Sequence, residues 1–212
     1  MPTVSFDLTS SAVVDVGGGV GAWLRVFQQY GTEVVLLVDR AEVQGELLID
    51  RASFRSCDFE KEMPVLPRFE LAVCVECAEH LRSERAEALV ACVTNAADVV
   101  VFSAAVPGQC GKGHVNEQLP EYWRNLFAKC SFVRHDVLRP RIIHDKSVPW
   151  WYRQNLFLFA RAGVKLEVSP SAFLPDEFSI VHVSLLEPGF RASVRRLWPS
   201  FMRGVRSRLG LA

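Results

Sequence analysis

The stretch VVDVGGGVGAW, residues 13–23, decides how the chain is read. An apolar run carrying Asp15 gives way to four glycines within six positions, and Trp23, Leu24 and Phe27 then follow at helical spacing. So many glycines serve a backbone that must turn sharply or let another group come close. A strand, a glycine turn and a helix in succession mark the carboxyl end of a strand in an open α/β sheet, where ligands of such sheets bind.

Working outward, apolar runs alternate with amphipathic stretches. Residues 12–16, 33–39, 53–57, 70–75, 98–105, 132–138 and 155–160 read as strands. Helices are predicted over 20–30, stopped by Gly31, near 41–48, over 82–96 with Ser83 as a cap, and over 119–130 with Pro120 in the first turn. Strands rich in Val and Leu that alternate with helices predict a Rossmann-like α/β fold, with a seven-stranded, mostly parallel sheet and helices on both faces. The last two strands are joined by PRIIHDKSVPWWYRQ, a hairpin-like connection that predicts an antiparallel strand at the edge.

Half of the 212 residues are apolar, ample for a core, and the length fits one domain with appendages. No apolar run is long enough to span a bilayer, and MPTVSFDLTSS is not built as a secretory signal, so a cytoplasmic location is expected. Cys74 and Cys92 fall in apolar runs and read as reduced, buried thiols. Lacking a second pair at suitable spacing, Cys74-x-x-Cys77 does not read as a zinc site. The formal net charge is zero, but residues 191–212 hold six arginines and no acid, leaving a balance of −6 on the remainder. A body of that sign predicts no nucleic-acid partner.

Two ligands suit the glycine turn. Gly17-x-Gly19-x-x-Ala22 satisfies the dinucleotide pattern, in which pyrophosphate rests on a helix N-terminus and the enzyme is an NAD(P)-dependent reductase. Asp15-x-Gly17-x-Gly19-x-Gly21 satisfies a second pattern. A carboxylate facing the ligand from Asp15 would repel pyrophosphate and attract a ligand carrying an ammonium and a sulfonium. S-adenosylmethionine carries both and has no phosphate.

From about Ala12 to Phe159 the sequence resembles the class I S-adenosylmethionine-dependent methyltransferases. DVGGGVG resembles their first motif. Asp39, ending the second strand, matches the acid that holds the ribose hydroxyls, and Asp58, in Cys57-Asp58-Phe59, the acid that meets the adenine amino group. ELAVCVE, residues 70–76, resembles the fourth-strand motif, whose final acid, Glu76, lines the cofactor pocket. The resemblance thus implies a cofactor site of Asp15, Gly17, Gly19, Gly21, Asp39, Asp58 and Glu76. It makes residues 1–165 the methyltransferase domain and 166–212 a C-terminal extension.

Glu76-x-x-Glu79-His80 follows the fourth strand, and the loop after the fifth brings in His114, Asn116 and Glu117. The run is similar to the metal-binding motif of small-RNA 3′-end 2′-O-methyltransferases and to one in ubiquinone-pathway O-methyltransferases. That likeness implies that Glu76, Glu79, His80 and His114 bind Mg²⁺ or Mn²⁺, which would lower the pKa of an acceptor hydroxyl. Many class I methyltransferases carry the run without needing metal, so His80 or His114 as general base, or a structural role, stays open beside it.

SVPWWYRQN, residues 147–155, places Trp150, Trp151 and Arg153 before the last strand, suiting a planar or sugar ring and an anionic group respectively. The expected acceptor is a small-molecule or glycan hydroxyl, with a non-catalytic cofactor-binding subunit as the reading from another class. Arginines mixed with Leu197, Trp198 and Phe201 in the tail suit weak contact with an anionic membrane surface, or packing on a second copy in a homodimer.

Overall fold

Neighbouring residues of the central strands are buried on opposite sides, which explains why their sequences read as unbroken apolar runs. In strand β2 (Ala12–Val16), Val14 and Val16 pack on one face and Val13 on the other, all three at 0% exposure. Both faces of the sheet are therefore covered. The computed structural model describes residues 3–5 and 10–167. The basic tail, with its membrane and dimer readings, lies outside them.

Ahead of β2 lies β1 (Thr3–Ser5), and after it come α1 (Ala22–Gln29), β3 (Val34–Asp39), β4 (Phe54–Ser56) and β5 (Leu71–Val75). Then follow α2 (Ala86–Ala96), β6 (Val99–Ser103), α3 (Pro120–Lys129) and β7 (Phe132–His135). Two short helices, α4 (Arg139–Ile142) and α5 (Trp150–Asn155), precede β8 (Phe157–Arg161) and β9 (Lys165–Glu167). The main sheet has seven strands in the order β4-β3-β2-β5-β6-β8-β7. β8 runs antiparallel to both of its neighbours, and the remaining pairings are parallel. The antiparallel pairing thus sits at the predicted edge, with β8 one place in and β7 outermost. β1 and β9 form a separate parallel pair that sequence patterning did not suggest.

One core layer packs Val14, Cys74 and Phe102 against Leu89 and Val93 of α2 and Trp123 and Phe127 of α3. Its centre is a stack of Phe127 on Phe159, ring centroids 3.9 Å apart. The opposite layer packs Val13, Leu37, Val73 and Leu158 against Leu24 and Phe27 of α1, with Tyr152 of α5 at its margin. Each fully buried Leu or Phe contributes about 1.5–3 kcal/mol. Cys74 and Cys92 are free buried thiols, as read.

Several local readings change. Residues 41–45 form a 3-10 turn in place of a helix, since Gly45 and few buried side chains leave it no face to pack. Ser83 opens a 3-10 turn and makes no capping hydrogen bond; α2 begins only at Ala86. Residues 139–155, read as a plain connection, fold as α4 and α5, anchored by a buried Arg139–Asp136 ion pair. Arg139 donates through Nε to Asp136 Oδ1 at 2.8 Å and through Nη1 to the Gln154 carbonyl at 3.1 Å. Its guanidinium lies 4.1 Å from the Phe157 ring centroid. No helix among the described residues is long and apolar enough to cross a membrane.

Candidate active site

The chain leaves β2 for β3 and β4 on one side and returns to β5 and β6 on the other. The carboxyl ends of β2 and β5 therefore part at a topological switch point, where a crevice opens. The glycine turn shapes it. Gly17, Gly19 and Gly21 have φ of +78°, +59° and +83°, values that cost other L-residues about 1–2 kcal/mol each. A Cβ on Gly17 would stand 2.1 Å from Cys77 Sγ, whereas one on Gly19 would meet nothing within 4 Å. Gly17 is thus needed for packing, and Gly19 faces open space. The turn is fastened by Gly17 N–H donating to the Val38 carbonyl at 2.8 Å and Gly19 N–H to Asp39 Oδ2 at 2.7 Å.

A cavity of about 340 Å³ opens there, walled by Gly17, Gly19, Asp39, Asp58, Glu76 and His80 among others. Arg40, Glu60 and Cys77, which sequence reading did not single out, also line it. Five predicted cofactor residues therefore meet in one cavity. Gly21 instead ends the turn ahead of α1, packed on Ile49 and Leu37.

Asp15 departs from expectation. It is fully buried, it is not in the cavity wall, and neither carboxylate oxygen has a hydrogen-bond partner. Its Oδ2 lies 2.1 Å from where a Gly18 Cβ would stand, so it sits beneath the turn. Burial, with a smaller contribution from Asp39, pushes its pKa up to about 8. At neutral pH it is protonated and presents no charge to a ligand.

The charge is carried by other acids. Asp39 and Glu76 take their hydrogen bonds from uncharged donors: the amides of Gly19 and Arg40 for one, Ser103 Oγ and Gln109 Nε2 for the other. Burial raises the Asp39 pKa, and its two amide bonds act against the rise. Asp58 is half-buried and ion-paired with Lys61 at 3.0 Å, a hydrogen bond that lowers its pKa. Arg40, the cation in the wall, is paired with Glu42 at 3.0 Å. Such a wall disfavours pyrophosphate.

A second cavity, of about 300 Å³, shares Glu76 and His80 with the first and adds Glu79, Gln109, His114, Trp150 and Trp151. Glu79, His80 and His114 can each offer one ligand atom with all three atoms within 4.8 Å of one another. Glu76, the fourth predicted ligand, is outside that group because Ser103 and Gln109 hold both of its oxygens. Glu76 is also held at a left-handed φ of +51°.

Glu79 is fully buried without a well-formed side-chain hydrogen bond. Its pKa is pushed up to about 8, by burial first and by the Glu76 carboxylate second. The Glu79 carbonyl accepts the amides of Val115 and Asn116, which pins the loop bearing His114. His114 Nδ1 lies 2.8 Å from Glu117 Oε1, and its Nε2 lies 4.0 Å from Glu79 Oε1. Burial works against the Glu117 anion, but hydrogen bonds from His114 and the amides of Gly108 and Cys110 outweigh it, and its pKa falls. His80 is lowered by burial and by neighbouring His114, so it stays neutral at pH 7. The two imidazoles meet edge to face, centroids 4.9 Å apart.

Trp150 and Trp151 line this cavity, at 84° to one another. Arg153 does not: it is on the same helix, but its Nη1 donates to the Ile143 carbonyl at 3.2 Å. Gln109 and Ser103 emerge as contributors that no sequence pattern distinguished; Glu117, read in the same loop as His114, is the partner of its Nδ1.

A family model described as a methyltransferase domain matches residues 4–139, more than half of the chain. The chain belongs to that family and is a class I S-adenosylmethionine-dependent methyltransferase. Its fold is shared with magnesium protoporphyrin IX methyltransferase from Synechocystis with bound SAH, at 16% identity over 74% of this chain and 76% of that one, TM-score 0.53. An S-adenosylmethionine-dependent methyltransferase from Mesorhizobium loti matches at 17% identity over 73% and 92% of the two chains, TM-score 0.53. Human N-acetylserotonin methyltransferase in complex with SAM matches at 15% identity, 74% of this chain against 49% of that one, TM-score 0.50. No match is found among curated proteins.

Proposed function

We propose that this chain methylates a hydroxyl of a small molecule or glycan, with S-adenosylmethionine in the first cavity and the acceptor in the second. The observation that carries this reading is the shared wall. Glu76 and His80 border both cavities, so donor and acceptor would meet beside the Glu79, His80 and His114 group.

Bound S-adenosylmethionine supplies an electrophilic methyl on a sulfonium. Gly19 leaves room for the ligand beside the turn, and Asp39, at the end of β3, accepts from the ribose hydroxyls. Asp58 lies at the adenine side, and Glu76 favours the cationic end. Trp150 and Trp151 offer flat faces to a ring and hold its hydroxyl in line with the donor, where alignment accounts for much of the barrier reduction.

In the tautomer that donates from Nδ1 to Glu117, rather than accepting there from the Gly111 amide at 3.1 Å, His114 Nε2 would be left to take the acceptor proton. The same three side chains offer one carboxylate and two imidazoles, a donor set that suits Mn²⁺ better than Mg²⁺, which prefers oxygen ligands. Such an ion would be held by Glu79, His80 and His114 and would acidify the acceptor hydroxyl.

The test is S-adenosylhomocysteine production over a panel of neutral sugars and phenols, with wild type and His114→Ala, with and without EDTA. Turnover lost in His114→Ala supports the reading, and EDTA sensitivity assigns the metal. Activity that survives both treatments removes both roles. Tight S-adenosylhomocysteine binding without turnover on any acceptor marks a non-catalytic subunit.

A further inference from the structure

Glu76 borders both cavities, and its carboxylate is not free to choose its direction. Oε1 accepts from Ser103 Oγ at 2.7 Å, and Oε2 accepts from Gln109 Nε2 at 2.8 Å. The other end of the Gln109 amide is equally committed, since Oε1 accepts from Asn155 Nδ2 at 2.8 Å. Asn155 Oδ1 in turn accepts from Gln154 Nε2 at 2.9 Å. An amide donates only through nitrogen and accepts only through oxygen, so one orientation of each satisfies this chain.

Glu76, at one end of the chain, borders both cavities, and Asn155, at the other, reaches the second only through its helix. Asn155 is the last residue of α5, whose first two residues, Trp150 and Trp151, line the second cavity. Glu76 leads into the first. Gln109 and Asn155 are 46 positions apart and meet only through folding. Both Gln154 and Asn155 are buried, with 3% and 2% exposure, so water does not readily replace a broken link.

We propose that Gln109 is a positioning residue that ties the tryptophan helix α5 to the Glu76 carboxylate, so that filling the first cavity sets the wall of the second. The proposal rests on the methyltransferase reading above. A ligand that engages Glu76 favours the carboxylate position that Gln109 already holds, and Gln109 in that position holds Asn155. By linkage, ordering α5 must strengthen ligand binding by the same factor.

The experiment uses the full chain and S-adenosylhomocysteine as the probe, with calorimetric titration of wild type, Gln109→Met, Asn155→Ala and the double variant. Gln109→Met keeps the length of the side chain and removes both hydrogen bonds. Its dissociation constant is expected to rise about tenfold, the loss of one hydrogen bond to a charged group. Asn155→Ala, which touches neither Glu76 nor the second cavity, should weaken binding severalfold. The double variant should be no weaker than Gln109→Met alone. Saturating S-adenosylhomocysteine should change tryptophan emission in wild type and not in Gln109→Met, whereas a residue serving only local packing would leave that change intact. An unchanged dissociation constant in Gln109→Met, or additive losses in the double variant, would overturn the proposal while leaving the methyltransferase reading intact. Failure of wild type to bind S-adenosylhomocysteine would overturn both. Should Gln109→Met unfold, Asn155→Ala decides by the same readings.

Discussion

Replacing Asp15 with Asn should stabilise the unliganded protein near neutral pH, by an amount that vanishes in acid. The carboxyl is fully buried beneath the glycine turn, has no hydrogen-bond partner, and has a pKa raised from 3.8 to about 8. In the unfolded chain the group ionises near 3.8; in the folded chain it keeps its proton until about pH 8. Folding must therefore take up a proton between those limits. The native state gains the full benefit of a neutral Asp15 below the lower value. That benefit falls as pH rises, and the loss levels off above about pH 8. Each step of one pH unit contributes about 1.4 kcal/mol, so the loss reaches about 4 kcal/mol by pH 7. Relaxation and water entry reduce the effective figure, which makes this an upper bound. Asn is nearly isosteric and does not ionise, so Asp15→Asn should lack this slope. The assay is urea unfolding of both proteins from pH 4 to 8.5, without cofactor. The expected result is near-equal midpoints at pH 4 and a variant more stable by roughly 2–4 kcal/mol at pH 7.5. Identical slopes for the two proteins would refute the reasoning and place an ionised or solvated carboxylate at that position.

Two further perturbations separate site from scaffold. Gly17→Ala forces a methyl group to within 2.1 Å of Cys77 Sγ and should lower the melting temperature sharply, whereas Gly19→Ala meets nothing within 4 Å. The second variant should stay folded, at a cost of about 1–2 kcal/mol for its positive φ, yet bind S-adenosylhomocysteine at least tenfold more weakly by titration calorimetry. Arg139→Met should destabilise the protein by about 3–5 kcal/mol in denaturant unfolding, because it strips a buried ion pair from Asp136. Asp136→Leu combined with Arg139→Met should recover much of that loss.

Local chemistry is what the sequence determined by itself. The glycines at 17, 19 and 21, the unbroken apolar runs and the acids ending successive strands are short-range features. They place the turn, the sheet and three acids, Asp39, Asp58 and Glu76, that line one cavity at the strand ends. Only the tertiary structure decided which face of the backbone each side chain took. Asp15 shares the face of Val13 and is driven under the turn, so the negative wall falls to Asp39 and Glu76. Arg153 lies two positions after Trp151, a spacing at which helical side chains do not share a face, and it bonds to the Ile143 carbonyl instead. Gln109 and Asn155 carried no signal, because a neutral amide acquires its role from a partner brought near by folding; Glu117 was legible as a loop acid beside His114, but not as the group that holds its ring. Hydrogen bonds reach about 3 Å; a sequence records order along the chain, and the distance between Gln109 and Asn155 exists only after the sheet has formed.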